Sequence, residues 1–274
     1  MKMSTKWRVL SIPFIAGFLM FYVLPFGRSI YYSLIESAFN HSFVGLSNYQ
    51  AVLNNKYYCL ALGNTLKFTL IGTILLMLLS LFLSLFLYSS KSYLARLRIV
   101  FIMPMLLPTA AIIPIFKQLF PSSVLYHLMS NCNVMPLLWL PVLLLYLWKN
   151  TGYNMILLMA AFSGIPHEIY EAAALDGAEG LKKLVRITLP MIRPTIFFII
   201  VMSIMQSLRI FKETYLLYGS YPDESIYLVQ NYMNNHFNKL DYQNLTAGAI
   251  LFSLPIGCMM IFYYFLEKRW ARII

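Results

Sequence analysis

Charged side chains are scarce in this sequence. Asp, Glu, Lys and Arg together make up 11% of the 274 residues, and only 10 of them are acidic. A soluble domain has about a quarter of its residues charged. Hydrophobic residues reach 60%. A chain this poor in charge cannot cover the surface of a soluble fold of its size, which excludes a soluble globular enzyme or binding module.

The residues that usually build a catalytic or metal centre are also sparse. The three cysteines have no metal-site spacing, and we expect three separate thiols. The four histidines fall on predicted loops without a ligand-like i,i+4 pair, so no metal site is expected. No Ser, His and acidic residue fall together within the apolar segments, so a catalytic triad is not expected there. The phosphate-binding pattern GxxxxGK[ST] is missing, so the chain cannot hydrolyse ATP by that route. We expect no catalytic residue and no cofactor.

Long apolar runs are what the sequence has instead. A bilayer core about 30 Å thick is crossed by a helix of roughly 20 apolar residues. Six segments meet or approach that length, which predicts an all-α, multi-pass integral membrane protein with a single domain, residues 1–274. The N-terminal run is longer than the apolar part of an ordinary signal peptide, so we expect it to be retained. The predicted spans are 9–33, 64–89, 99–118, 134–162, 194–217 and 245–266.

The basic residues are distributed unevenly around these spans. The net charge is +11, and most of it lies in the N-terminal segment, two alternate loops and the C-terminus: Lys2, Lys6, Arg8, Lys91, Arg96, Arg98, Lys182, Lys183, Arg186, Arg193, Lys268, Arg269 and Arg272. Each of the other three loops carries one clear lysine. The positive-inside rule therefore predicts that both termini are cytoplasmic, together with the loop at 163–193. The charge orients the chain in a bilayer and does not indicate a nucleic-acid partner.

The polar loop at 163–193 is predicted to form two short helices. Pro166 suits the first turn of a helix, and the alanine-rich stretch 170–175 continues it. Asp176-Gly177 ends this helix, because glycine readily adopts the positive φ of a C-terminal cap. A second helix is expected over about 178–188, ended by Leu189-Pro190.

The loop also carries a spaced pattern. Glu171-Ala172-Ala173 is followed after three residues by Gly177, and after nine more by Ile187-x-Leu189-Pro190. This pattern resembles the "EAA" loop of permease subunits of ATP-binding-cassette importers. Segments 44–49, 64–69, 152–154 and 165–173 are similar to carbohydrate-importer permeases of the maltose and glycerol-3-phosphate type, specifically the first of two paired permeases.

The resemblance implies a role for this loop and a set of partners. Glu171 would make a polar contact with a separate ATPase, Ala172 and Ala173 would pack against it, and Asp176-Gly177 would turn the chain. The partners would be a second, homologous permease, a dimer of ATPases that uses ATP and Mg²⁺, an extracytoplasmic solute-binding protein and a sugar, in a bacterial inner or plasma membrane. The extra N-terminal spans and large external domain of the maltose permease are missing, which leaves open how the binding protein is held.

Polar residues inside the fifth predicted span offer two interpretations. Gln206, Arg209 and Glu213 are spaced i, i+3 and i+7 and therefore share one helix face. Arg209 and Glu213 could simply neutralise each other as an i,i+4 pair near the outer boundary. Alternatively, the three form a stripe along the substrate path, because charges at membrane depth usually face a cavity or a partner. In the resembled family, sugar contacts come from this span and from the span before the loop.

The fourth predicted span is interrupted by a polar stretch that contains further candidates for sugar contact. The indole of Trp148 offers a flat face for a sugar ring, Asn150 and Thr151 offer an amide and a hydroxyl, and Gly152 adjoins them. Packing against lipid explains the tryptophan equally well, and a helix distortion explains the glycine.

Other elements and functions follow from the same sequence. Pro104, Pro108 and Pro114 predict kinks in the third span, and the segment 35–64 predicts a short interfacial helix. A stand-alone ion-coupled transporter would need a carboxylate deep in a span, for which Glu213 is the only candidate. An intramembrane enzyme would need a catalytic constellation, and none is evident.

Overall fold

The computed structural model describes residues 5–37, 40–88, 97–121, 123 and 137–270. Within them the chain is helical, and its only β-type pairing is an isolated bridge between Ile35 and Phe43. Most of the second loop predicted to be external, 121–133, lies outside the described residues. So do several of the basic residues that orient the chain, among them Lys2, Lys91, Arg96 and Arg272.

The helices are labelled in chain order. They are α1 (Thr5–Phe18), α2 (Leu24–Ser33), α3 (Ser47–Asn54), α4 (Lys56–Tyr88), α5 (Leu97–Leu106), α6 (Thr109–Leu119), α7 (Trp139–Ser163), α8 (His167–Leu175), α9 (Gly180–Lys183), α10 (Leu189–Met191), α11 (Arg193–Leu208), α12 (Phe211–Tyr218), α13 (Val229–Asn238) and α14 (Tyr242–Trp270). A π-helical turn, Leu19–Val23, joins α1 to α2, and a second, Leu184–Thr188, joins α9 to α10.

Four helical stretches among the described residues are long and apolar enough to cross a bilayer: Ser11–Ser33, Lys56–Tyr88, Arg193–Tyr218 and Tyr242–Leu266. A fifth is reached if α5 and α6 are counted as one broken span. Helix α7 has 25 residues, long enough to span, but polar side chains in its middle lower its mean hydropathy. Six spans therefore remain a prediction, whereas a multi-pass helical membrane protein is confirmed.

The break between α5 and α6 lies at Leu107-Pro108. The two helices meet at 101°, and Pro108 has an extended backbone with φ −60 and ψ 129. The proline ring disfavours helical geometry at the residue before it, so the helix stops there. The kink predicted at Pro108 is confirmed, while Pro104 and Pro114 lie inside α5 and α6.

By internal contacts the chain forms two compact units, Met1–Leu60 with Val229–Met259 and Ala61–Leu228 with Met260–Ile274, as far as these are described. The first unit contains α3, which is the short helix predicted within 35–64. Its interior holds the buried ring of Tyr58 edge-on to Tyr232, with centroids 5.3 Å apart. The Tyr58 hydroxyl donates a 3.1 Å hydrogen bond to the carbonyl of Gly248.

The second unit packs its helices closely at one glycine. A Cβ placed on Gly152 of α7 would lie 1.8 Å from the carbonyl oxygen of Phe101 in α5. No side chain fits there, so this glycine allows direct backbone contact between α5 and α7. Small residues serve the same purpose wherever membrane helices approach closely, because van der Waals packing rather than water exclusion holds them together.

Candidate functional site

A polar cavity of about 160 Å³ lies in the second unit. It is lined by residues of α7, of α12 and of the end of α11 with the break that follows it: Leu145, Tyr146, Lys149, Asn150, Gln206, Arg209, Ile210 and Glu213. Four of the residues predicted from sequence to contact sugar are therefore brought together, namely Asn150, Gln206, Arg209 and Glu213. The cavity also contains a residue that the sequence reasoning did not select, Lys149.

Lys149, Thr109 and Glu213 form a connected polar cluster that joins three helices. The Nζ of Lys149 donates to Oγ1 of Thr109 at 2.6 Å, and that hydroxyl donates to Oε1 of Glu213 at 3.1 Å. The Nζ of Lys149 lies 3.7 Å from the same carboxylate oxygen, and the two side chains are 17% and 12% exposed. A carboxylate this shielded needs a cation nearby, since uncompensated charge at membrane depth is costly.

This cluster settles how Glu213 is neutralised. Of the two sequence interpretations, the i,i+4 pair of Arg209 with Glu213 is not formed, because Glu213 pairs with Lys149 from another helix. Arg209 is exposed, lines the cavity and takes part in no ion pair among the described residues. A signal for Lys149 was present in the sequence, as a single cation inside the apolar run of α7.

The side-chain amides of Asn150 and Gln206, which both line the cavity, differ in their hydrogen bonding. The Nδ2 of Asn150 donates to the carbonyl of Tyr146, one turn earlier in the same helix, at 2.7 Å. The Oε1 of Gln206 is buried and accepts no hydrogen bond within the described residues. Buried polar atoms normally have a partner. Gln206 thus contributes an unsatisfied acceptor to the wall of the cavity.

The remaining candidates from the fourth predicted span lie outside the cavity lining. Trp148 is 44% exposed, and its ring centroid is 6.3 Å from that of Phe116. Thr151 is buried and its hydroxyl donates to the carbonyl of Leu147 at 2.6 Å. Gly152 forms the backbone contact with α5. Thr151 and Gly152 thus lie on packing faces of α7, Trp148 is partly exposed beside Phe116, and Asn150 lies in the cavity lining.

A second candidate site is the loop at 163–193, whose first helix ends in a defined cap. Helix α8 ends in a Schellman motif, in which the N–H of Ala178 donates to Ala173 at 2.9 Å and that of Gly177 to Ala174 at 3.0 Å. Gly177 has φ +68, as predicted for the Asp176-Gly177 corner. Ala173 and Ala178 are both buried, and they occupy the two positions at which this motif places apolar residues.

The side chains on the outward face of α8 are exposed and make few contacts within this chain. Leu175 is 91% exposed, and Glu171, one turn earlier, is also exposed along with Ala172, Asp176 and Gly177. Of the predicted coupling residues only Ala173 faces inward. The Glu171 carboxylate is held by its neighbour His167, whose Nδ1 lies 3.0 Å from Oε1.

The inward face of α8 is tied to the second helical stretch of the loop. The hydroxyls of Tyr170 and Thr188 share a 3.3 Å hydrogen bond. The Nζ of Lys183 sits 4.1 Å above the centre of the Tyr170 ring, a cation–π contact. A cleft of about 540 Å³ opens beside these residues, between the loop and the adjoining ends of α4 and α7.

The loop helices differ from the predicted bounds. The first begins at His167, directly after Pro166 as predicted, and the second begins at Gly180 rather than at about 178. Leu189-Pro190 does not end the second stretch, which stays helical to Met191. The π-helical turn before Pro190 explains this difference, because it shifts the hydrogen-bond register where proline lacks a donor and would clash with the preceding turn.

Curated relatives are similar to most of the chain. The arabinooligosaccharides transport system permease protein AraP of Bacillus subtilis (strain 168) is 33% identical over an alignment of 223 positions, gaps included, which covers 75% of this chain and 70% of that protein. The sn-glycerol-3-phosphate transport system permease protein UgpA of Yersinia enterocolitica is 28% identical over an alignment of 292 positions, gaps included, which covers 97% of this chain and 96% of the other.

A solved structure and a family description agree with these relatives. A bacterial ABC transporter involved in the import of the acidic polysaccharide alginate contains a chain of the same fold, with a TM-score of 0.78 and 21% identity, covering 96% of this chain and 95% of that one. Residues 77–272 match the family described as binding-protein-dependent transport system inner membrane component. This chain belongs to that family of inner membrane transport components.

Proposed function

We propose that this chain is one permease subunit of an ATP-driven carbohydrate importer. It forms half of the translocation pathway and is driven by a separate ATPase that docks on the 163–193 loop. The observation that carries the proposal is the outward face of α8, where Glu171 and Leu175 are exposed on a helix whose other face is fixed to the protein. An apolar side chain as exposed as Leu175 on a short, capped helix is suited to a partner's cleft.

The loop is placed so that its movement reaches the cavity. Its ends continue into α7 and α11, and both helices carry cavity residues. A buried apolar cluster joins the three segments: Leu158 and Phe162 of α7, Ile165 and Ile192 of the loop, and Ile199 of α11. Because a close-packed cluster transmits displacement rather than absorbing it, force applied to α8 moves the helices that line the substrate path.

The full assembly contains more than this chain. A second permease completes the pathway, two ATPases bind ATP and Mg²⁺ below it, and an extracytoplasmic binding protein delivers the solute from above. The chain crosses a bacterial inner or plasma membrane six times with both termini in the cytoplasm, and it has no ATP site of its own. Two relatives are named for arabinooligosaccharides and for trehalose or maltose, which supports a carbohydrate and within that class an oligosaccharide, and a third is named for sn-glycerol-3-phosphate.

One observation favours a second candidate, an ion-coupled transporter without an ATPase. Glu213 is a shielded carboxylate inside the Arg193–Tyr218 span, the position such a mechanism requires. However, Glu213 already has Lys149 as its counterion, and a coupling carboxylate must exchange counterions during each cycle. The ATP-driven importer is therefore the better supported function.

Co-purification tests this proposal. The tagged chain is expressed with the genes that flank its own, and the ATPase content of the purified complex is measured for wild type and Glu171→Lys. A charge reversed in a buried interface costs about 2–5 kcal/mol, so we expect the variant to lose the ATPase. Glu224→Lys is the matched control, because Glu224 is an exposed acid on the 3₁₀ turn Glu224–Ile226, away from the loop. Wild type purified without any ATPase would overturn the proposal.

A further inference from the structure

We infer that the cavity selects a saccharide that carries a carboxylate, with Arg209 as the counterion of that carboxylate. The inference rests on the proposed function, because it takes the cavity as part of the substrate path. It concerns the class of sugar, which neither the family nor the loop specifies. Its evidence is the balance of charges and of hydrogen-bonding groups among the lining residues.

The charges that line the cavity do not cancel. Two cations, Lys149 and Arg209, face one carboxylate, Glu213. The lysine and the carboxylate satisfy each other at 3.7 Å, with Thr109 hydrogen-bonded to both. One positive charge is left over, and it belongs to Arg209. A guanidinium stays protonated at any physiological pH, so this charge cannot be removed by losing a proton.

A cation held inside a membrane-spanning segment needs an anion or water. Lys212, three residues further on, is also exposed, but it does not line the cavity. Arg209 does, and so does Gln206, whose buried Oε1 accepts no hydrogen bond within the described residues. The residues that line the cavity thus include a planar donor fork and an unused acceptor. A uronate sugar supplies both complements: a carboxylate for the fork and a hydroxyl that donates to the amide oxygen.

The amount of charge decides between a carboxylate and a phosphate. The single uncompensated charge of the cavity matches a monoanion. A phosphate monoester carries about −1.5 to −2 at neutral pH, so it would bring excess negative charge into a site that already contains Glu213. A carboxylate is therefore the better match to this cavity, and a sugar phosphate becomes an arm of the test.

The test measures binding of defined probes to the purified complex. The probes are galacturonate, which is a monoanion, its methyl ester, which keeps the sugar and removes the charge, and glycerol 3-phosphate. Binding is read as the shift of the thermal unfolding midpoint with probe concentration. We expect galacturonate to bind at least about tenfold more tightly than its ester. Arg209→Gln should abolish that difference, Arg209→Lys should keep part of it, and Lys212→Gln, the matched charge loss outside the cavity, should leave it unchanged.

Each other result overturns the inference. If the ester binds as well as the acid, or if Arg209→Gln binds the acid as wild type does, the cavity does not select a carboxylate. If glycerol 3-phosphate binds more tightly than galacturonate, the anion is a phosphate. The presence of an ATPase in the same preparation is scored separately, so the importer proposal survives or fails independently of the probe results.

Discussion

Lys149 of α7 and Glu213 of α12 form an ion pair in the wall of the cavity, with 3.7 Å between Nζ and Oε1. The Thr109 hydroxyl lies between them, and Thr109 is the first residue of α6 after the 101° break. The pair and Thr109 therefore tie the broken third span to α7 and α12, and Lys149 neutralises the one carboxylate among the described residues that line the cavity.

Removing one partner of this pair should destabilise the protein more than removing both. Glu213→Gln leaves the Lys149 ammonium shielded and unpaired, and breaking a buried pair in this way costs about 3–5 kcal/mol. The pair is slightly solvent-exposed, so we expect the lower part of that range. The double variant Lys149→Met with Glu213→Gln should recover most of the loss. Thermal unfolding of the four proteins in detergent gives the coupling energy as a double-mutant cycle.

Lys212→Met serves as the control for removing a cation from the same segment, because Lys212 is exposed and takes part in no ion pair among the described residues. It should change the unfolding midpoint little. Purely additive effects of the two single substitutions would contradict the pairing.

Gly152→Ala should damage the contact between α5 and α7. The new Cβ would lie 1.8 Å from the Phe101 carbonyl oxygen, and a backbone atom cannot rotate away as a side chain can. We expect a loss of about 1–3 kcal/mol or more, seen as reduced yield and a lower unfolding midpoint. Gly63→Ala is the matched control in another membrane helix, since an added Cβ there meets nothing within 4 Å. Equal midpoints for the two variants would argue against the close approach.

Gly177→Ala should weaken the cap of α8 through backbone conformation alone. An added Cβ at this position has open space, but the φ of +68 is unfavourable for an L side chain, with a cost of roughly 1–2 kcal/mol. We expect less ATPase to co-purify, with partial recovery in Gly177→Asn, because asparagine tolerates this conformation better. Gly257→Ala, which has neither a positive φ nor a close neighbour, should retain the ATPase. Full retention by Gly177→Ala would show that the corner is not needed for docking.

The turn between α13 and α14 should make the protein sensitive to strong acid. Hydrogen bonds from His236, at 2.8 Å, and from Asn244 outweigh burial and lower the pKa of Asp241 from 3.8 to about 2. A lowered carboxyl pKa contributes stability above the unfolded value and loses it as the pH falls towards the folded value. The unfolding midpoint should therefore decrease from pH 4 to pH 2, and less steeply in Asp241→Asn. Parallel pH profiles for the two proteins would contradict this assignment.

The sequence was sufficient for the features that depend on local chemistry. Apolar length identified four helices long enough to cross a bilayer, Pro108 identified the break in the third predicted span, and Asp176-Gly177 identified the corner at which φ becomes positive. These features are set by a residue and its immediate neighbours. The bounds of the loop helices were less accurate, because the π-helical turn that carries the chain through Pro190 has no marker in the residue pattern.

The cavity could be predicted only in part, because the residues that line it come from different helices. Helical spacing correctly grouped Gln206, Arg209 and Glu213, but spacing along one helix favours an Arg209–Glu213 pair. The true partner, Lys149, is 64 positions earlier in the chain and is brought in by the packing of α7. Likewise, spacing could not show that Thr151 and Gly152 lie on packing faces while Asn150 reaches the cavity.

Photo-crosslinking from Leu175 tests the central claim, that an ATPase docks on α8, most directly. A photoreactive residue replaces Leu175, which is 91% exposed, or Tyr221, which is 66% exposed and lies in the segment predicted to be external. The chain is co-expressed with the genes that flank its own, and crosslinked partners are identified by mass spectrometry. We expect a crosslink to an ATP-binding subunit from position 175 and none from position 221. An ATPase crosslinked from position 221, or none from position 175, would contradict that claim.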